Sequence, residues 1–208
     1  MGNLKVSLLS RKKDRAKYIH HLIKDLEALD YLIENGLIEK APLRIGAEQE
    51  FCLVDSSFLP SDNALEILKA LKDDHFTTEI GKYNLEMNLD PLELKGSCFS
   101  VLHKNLNRFL DKVRKISHEH NTRIILTGIL PTLRVRHISE NYMTPVKRYY
   151  ALNEAIKKSR LQDFWIHIKG VDELNLMHDS VMLEACNTSF QTHLQINPDE
   201  FIEKYNWA

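Results

Sequence analysis

The sequence predicts an α+β fold, in which helices and antiparallel strands intermix over the whole length of the chain. Three observations favour this class: apolar residues at helical spacing, segments in which apolar and polar residues alternate, and a short turn near Gly81. The 208 residues suffice for one generous domain, and 43% apolar with 27% charged residues excludes a disordered chain.

Five segments have the apolar spacing or the capping residues of helices. They are residues 14–34, about 62–72, 98–117, about 145–159, and a last helix that Pro198 opens. In the first helix Tyr18, Leu22, Leu26, Leu29 and Ile33 recur at three- and four-residue steps. We therefore expect a helical extension over residues 1–40, followed by a second domain over residues 41–208.

Six segments between these helices have the character of strands. They are about 43–54, 76–80, 83–89, 122–130, 164–169 and 187–196. Since residues two apart on a strand share a face, three of these strands each combine an apolar face with a polar face. The polar faces carry Glu48 and Glu50 in RIGAEQEFCLV, Glu86 in YNLEMNLD, and His193 and Gln195 in SFQTHLQIN.

These polar faces are candidates for a metal site. Acidic residues are depleted in strands, yet Glu48, Glu50 and Glu86 concentrate here without a basic neighbour on their own strand faces. Like charges on one face repel, and a divalent cation relieves that repulsion. Oxygen ligands suit magnesium or manganese rather than zinc. The alternative is a face that simply meets water, as the outer faces of half-buried antiparallel strands usually do.

Composition and motifs narrow the function further. With 28 basic and 29 acidic residues the net charge is −1, which argues against nucleic acid as a partner. The sequence contains no glycine-rich phosphate loop and no H-E-x-x-H motif. Charges interrupt every long apolar stretch, so we expect no membrane contact. Three cysteines without a signal peptide ahead of them favour a reducing, cytoplasmic location.

The runs IGAEQEF, TTEIGKYNLEMNLDP and TSFQTHLQIN, in that order, resemble the glutamate–cysteine ligase and carboxylate–amine ligase family. The resemblance covers about residues 43–201. It implies a glutamine-synthetase-like fold, a curved antiparallel sheet packed on helices with the active site on its polar, concave face. Since relatives continue beyond the point where this sequence ends, we expect the N-terminal portion of a larger catalytic domain, without full ligase activity alone.

The resemblance also implies roles for individual residues. Glu48, Glu50 and Glu86 would be the catalytic metal ligands, binding magnesium or manganese that carries the phosphates of ATP. Glu79 would lie beside the metals or the amino-acid substrate, and Arg148, in MTPVKRYY, would bind a substrate carboxylate.

For the last strand, the resemblance implies that His193 and Gln195 lie near the nucleotide and the substrate. The implied reaction is ATP-dependent amide formation, in which glutamate is phosphorylated and then joined to cysteine or another amine. Two alternatives stay open: a catalytically incomplete metal- or nucleotide-binding module of a larger protein, and a metal-dependent phosphohydrolase. The expected partners are small molecules, and the oligomeric state, including a homo-oligomer, is open.

Overall fold

The computed structural model describes residues 6, 12–159 and 163–208 of the chain. Its helices are α1 (Lys12–Glu34), α2 (Ala64–Leu71), α3 (Cys98–Glu119), α4 (Lys147–Ser159) and α5 (Phe201–Trp207). Its strands are β1 (Arg44–Val54), β2 (Phe76–Thr78), β3 (Asn84–Glu93), β4 (Arg123–Ile125), β5 (Phe164–Lys169), β6 (Glu173–His178) and β7 (Phe190–Leu194). The predicted α+β class with antiparallel strands is confirmed.

β1 is the central strand of a five-stranded antiparallel sheet. The strand order is β2-β3-β1-β4, and β7 also pairs with β1. β3 lies along one edge of β1, with Arg44 opposite Glu93 and Cys52 opposite Asn84. β7 and β4 share the other edge: β7 pairs with Ile45–Gln49 and β4 with Cys52–Val54. β5 and β6 form a separate two-stranded hairpin.

The apolar face of the sheet packs against α2 and α3. Side chains from the sheet, such as Phe51, Leu53, Leu85 and Met87, are fully buried there. They pack with Ala64, Ile67, Leu71, Leu102, Phe109, Leu110 and Val113 of the two helices. Because side chains alternate along a strand, this packing directs the intervening polar residues to the opposite face.

Two strand predictions need correction. The segment 122–130 forms a ladder only at Arg123–Ile125, because β7 occupies the rest of that edge of β1. Strand β6 was not predicted, although Leu174 and Leu176 alternate with polar residues and Gly170 provides a turn before them. Glu and Asn have low strand propensity, which conceals such a strand in the sequence.

The predicted first helix forms, but it is exposed along its whole length. None of the residues of α1 is buried, and Leu22, Leu26 and Leu29 remain between 44% and 58% exposed. Residues 1–5 and 7–11 of the predicted extension lie outside the described residues. In the part of the chain that the structure describes, no helix has both the length and the apolar character needed to cross a membrane.

A charged network fixes α3 against the loop that follows α2. Asp73 accepts hydrogen bonds from His75 and from Lys112 of α3, and His75 also contacts Asp90 at 3.1 Å. Burial raises the pKa of Asp73, but the hydrogen bonds from Lys112 and His75 outweigh it and bring it to about 2. The hydrogen bonds to Asp73 and Asp90 raise the pKa of His75.

This network should make the free energy of unfolding depend on pH. Because the pKa of His75 is raised on folding, its contribution is complete below about pH 6.5 and is lost as the pH rises through the folded-state value. We expect His75→Gln to lower the free energy of unfolding by roughly 1 kcal/mol more at pH 6 than at pH 9. Urea denaturation measures this difference. A His20→Gln control on exposed α1 should have no such effect, and an equal loss at both pH values would contradict the prediction.

Candidate metal centre

Three glutamate side chains meet on the polar face of the sheet. Glu50 of β1 lies directly opposite Glu86 of β3, and Glu86 also lies opposite Thr77 of β2. Glu79, two residues beyond Thr77, therefore comes to the same face. One carboxylate oxygen from each of Glu50, Glu79 and Glu86 lies within 4.8 Å of the others. We call these three residues the acidic triad.

The acidic triad is half-buried, and its electrostatics follow from that position. The pKa of Glu79 is raised to about 8: burial is the largest cause, and a hydrogen bond with Glu86 and the charges of Glu86 and Glu50 act in the same direction. Burial also raises the pKa of Glu50; hydrogen bonds from Ser189 oppose this effect, whereas the charges of Glu86 and Glu48 add to it. Without a cation, the site therefore favours a protonated carboxyl group over three full charges.

Neutral groups hydrogen-bond to two of the three carboxylates. Asn88 Nδ2 donates to Glu86 Oε1 at 2.6 Å. The backbone N and the Oγ of Ser189 donate to Glu50 Oε2 at 2.7 and 3.1 Å. Alternation in β3 places Asn88 on this face. Ser189 lies one residue before β7 but inside the predicted strand 187–196, where the two-residue spacing to Gln191 and His193 puts it on the same polar face. The sequence thus indicated the face of both residues but not their contacts with Glu86 and Glu50.

Glu48 and His193 lie on the same face, next to the acidic triad. Glu48 is two residues before Glu50 on β1 and lies opposite Asn88 on β3. Its Oε1 is 3.6 Å from His193 Nε2, and the His193 side chain is 54% exposed. The structure therefore brings Glu50, Glu86 and Glu79 together and places Glu48 beside them, in contact distance of His193 rather than within the triad.

Gln195 and Arg148 lie further from the centre of the site. Gln195 accepts a hydrogen bond from Arg44 at 2.9 Å, and Arg44 precedes Glu50 by six residues, about 20 Å along β1. Arg148 is exposed at the start of α4. The next residue, Tyr149, anchors this helix to β2, since its hydroxyl donates to the Thr78 carbonyl at 2.7 Å. The helix that carries Arg148 is thus attached to Thr78, the residue before Glu79.

The donor chemistry of the acidic triad fits a hard divalent cation. Magnesium and manganese prefer carboxylate oxygens. Burial is the largest cause of the raised pKa of Glu79, and the charges of Glu86 and Glu50 add to it; a cation would offset both effects. Glu50 of β1 and Glu86 of β3 are directly paired, and Glu79 follows the last residue of β2, so the sheet brings the three possible ligands together. Glu48 could serve a cation bound next to the triad.

Comparison with protein families gives an independent result. A family model described as glutamate-cysteine ligase family 2 matches residues 44–206, more than three quarters of the chain. The match begins at the first residue of β1 and contains the acidic triad, Glu48 and His193. Comparisons with curated proteins and with solved structures find no match.

The raised pKa of Glu79 has a measurable effect on the metal-free protein. The folded state keeps a proton that the unfolded chain releases above about pH 4.5, so the free energy of unfolding falls as the pH rises toward 8. We expect Glu79→Gln to stabilise the metal-free protein at pH 8, by roughly 1–3 kcal/mol, with little effect at pH 5. Urea denaturation with EDTA tests this prediction.

The exposed Glu66 on α2 supplies the matched control. Glu66→Gln removes the same charge on the opposite side of the sheet. It should leave the pH dependence of the free energy of unfolding unchanged. If Glu79→Gln destabilised the metal-free protein at pH 8, the assigned electrostatics of the triad would be wrong.

Proposed function

The chain belongs to glutamate–cysteine ligase family 2, and we propose that it serves an ATP- and magnesium-dependent ligation of glutamate to cysteine or another amine. Membership of this ligase family, together with an acidic triad suited to magnesium, carries the proposal. Glutamate, the amine and ATP would be the substrates, and manganese could replace magnesium.

The reaction we propose has two steps. An oxygen of the glutamate side-chain carboxylate attacks the γ-phosphorus of ATP, and the bond from that phosphorus to ADP breaks. The amine nitrogen then attacks the acyl carbon, phosphate leaves, and the nitrogen loses a proton. Such phosphoryl transfer depends on positioning and charge neutralisation, so no nucleophile of the protein is needed.

Glu50, Glu79 and Glu86 would hold the divalent cation, and Glu48 would add a ligand beside them. When bound, the cation supplies the positive charge that stabilises the transferring phosphoryl group. The carboxylates themselves would orient it from three strand segments of the sheet. This arrangement can hold phosphates without a glycine-rich loop, which the sequence lacks.

Other residues of the same face would contact the substrates. His193 is exposed beside Glu48, where a nucleotide bound at the triad could contact it. Gln195, which hydrogen-bonds to Arg44, would contact only the end of the nucleotide or substrate that lies farthest from the triad. Arg148 could pair with a substrate carboxylate, since α4 is attached to β2 next to Glu79.

Magnesium-dependent nucleotide binding tests this proposal. We expect a non-hydrolysable ATP analogue to bind the chain only with magnesium, and Glu50→Gln or Glu86→Gln to weaken that binding at least tenfold, because each removes a ligand charge. Isothermal titration calorimetry measures the affinity. Glu66→Gln is the matched control and should bind as the unmodified chain does. Normal binding by both site variants would rule out this site.

Phosphate release distinguishes the ligase from its alternatives. For a ligase, we expect release of phosphate from ATP to require both glutamate and an amine, and to fall in Glu86→Gln. Release of phosphate from ATP that does not depend on added glutamate or amine would identify a phosphohydrolase. Nucleotide binding without any release would show that this chain alone is a catalytically incomplete binding module.

A further inference from the structure

Two of the three triad carboxylates each have one oxygen engaged by a neutral donor. Asn88 Nδ2 binds Glu86 Oε1 at 2.6 Å, and Ser189 binds Glu50 Oε2 through both its backbone N and its Oγ. These donors carry no charge, so they leave the negative charge of the triad in place. Their effect is on the orientation of the carboxylates.

We propose that Asn88 and Ser189 are positioning residues for the divalent cation. Each holds one carboxylate oxygen of Glu86 or Glu50, which restricts the orientation in which that carboxylate can meet the cation. This inference rests on the proposed function, because it needs a cation at the triad. Neither residue would touch the cation or the reacting atoms.

The physical need for such residues follows from the glutamate side chain. The terminal torsion of glutamate is broad, so an unrestrained carboxylate samples many orientations. Fixing two carboxylates before the cation arrives lowers the conformational entropy that binding must remove. Outer hydrogen-bond partners of metal ligands typically change metal affinity by about 10–100-fold when they are removed.

The backbone holds both donors firmly in place. The backbone N of Asn88 donates to the His75 carbonyl at 2.7 Å, and its side chain reaches back along β3 to Glu86. The carbonyl of Ser189 accepts from the backbone N of Glu50 at 2.9 Å, so this residue and Glu50 bind each other in both directions. Backbone hydrogen bonds therefore fix the positions from which Asn88 and Ser189 donate to the two carboxylates.

The alternative is that Asn88 and Ser189 have a purely structural role. They would then stabilise the fold by hydrogen-bonding two half-buried carboxylates and would have no effect on the affinity for a cation. The two roles differ in what a substitution changes. Loss of a structural hydrogen bond lowers the stability of the metal-free protein. Loss of a positioning hydrogen bond lowers the affinity for the cation even where the metal-free protein remains folded.

Manganese titration, followed by the electron paramagnetic resonance signal of free Mn²⁺, tests the inference. We expect Asn88→Leu to weaken Mn²⁺ binding by 10-fold or more. Ser189→Ala should weaken it only several-fold, because the backbone N–H remains. Ser189→Thr keeps the hydroxyl and should restore the affinity, which a loss of packing would not explain. If Asn88→Leu fails to fold, Asn88→Ala, which adds no bulk, replaces it.

Asn107→Leu and Ser100→Ala on exposed positions of α3 are the matched controls and should bind Mn²⁺ as the unmodified chain does. Thermal unfolding in EDTA reports the stability of each variant without metal. The inference is overturned if Asn88→Leu and Ser189→Ala bind Mn²⁺ normally. It is also overturned if the unfolded fraction of each variant accounts for the whole loss of its apparent affinity for Mn²⁺.

The same titration separates this inference from the proposed function. If the unmodified chain binds Mn²⁺, and Glu50→Gln and Glu86→Gln weaken that binding while the Asn88 and Ser189 variants do not, only the positioning roles fail. If the unmodified chain binds no Mn²⁺, the proposed function fails, and this inference fails with it.

Discussion

The repulsion between Glu50 and Glu86, which face each other across two adjacent strands, is the constraint on which the site depends. Like charges in directly opposite positions of a sheet destabilise it, and Glu79 adds a third carboxyl group within 4.8 Å. The chain does not separate these groups; it half-buries them, which increases the repulsion further. This arrangement lowers the stability of the sheet, and the cation that we propose for the triad would offset that cost.

Apolar side chains buried on the opposite face of the same strands stabilise the sheet and so offset this repulsion. Phe51 and Leu85 are fully buried and directly paired, one position from Glu50 and Glu86. Burying such side chains is worth roughly 1.5–3 kcal/mol each. A slip of one residue would exchange the apolar and acidic faces, so core packing and carboxylate placement require the same register. The core thus positions the site without contacting it.

The sequence predicted the shared face but not the grouping within it. Alternation along a strand is a local property, which is why Glu48, Glu50, Glu86 and His193 could be assigned to one face. Which carboxylates approach one another depends on pairing between strands, which alternation does not encode. Glu79 enters the triad because Thr77 pairs with Glu86, and β4 is short because β7 takes its edge. Such competition between strands is a tertiary effect.

The repulsion within the acidic triad can be relieved in two ways: by protonation of a carboxyl group or by binding of a cation. In the metal-free protein the raised pKa of Glu79 favours its protonated form, since burial, a hydrogen bond with Glu86 and the charges of Glu86 and Glu50 all disfavour the charged form. The divalent cation that we propose for the triad would reverse this preference, because it would stabilise all three carboxylates in their charged form. Cation binding should therefore release a proton from the triad. The metal-free sheet can then fold with the three carboxyl groups already together, and it need not separate them to remain stable.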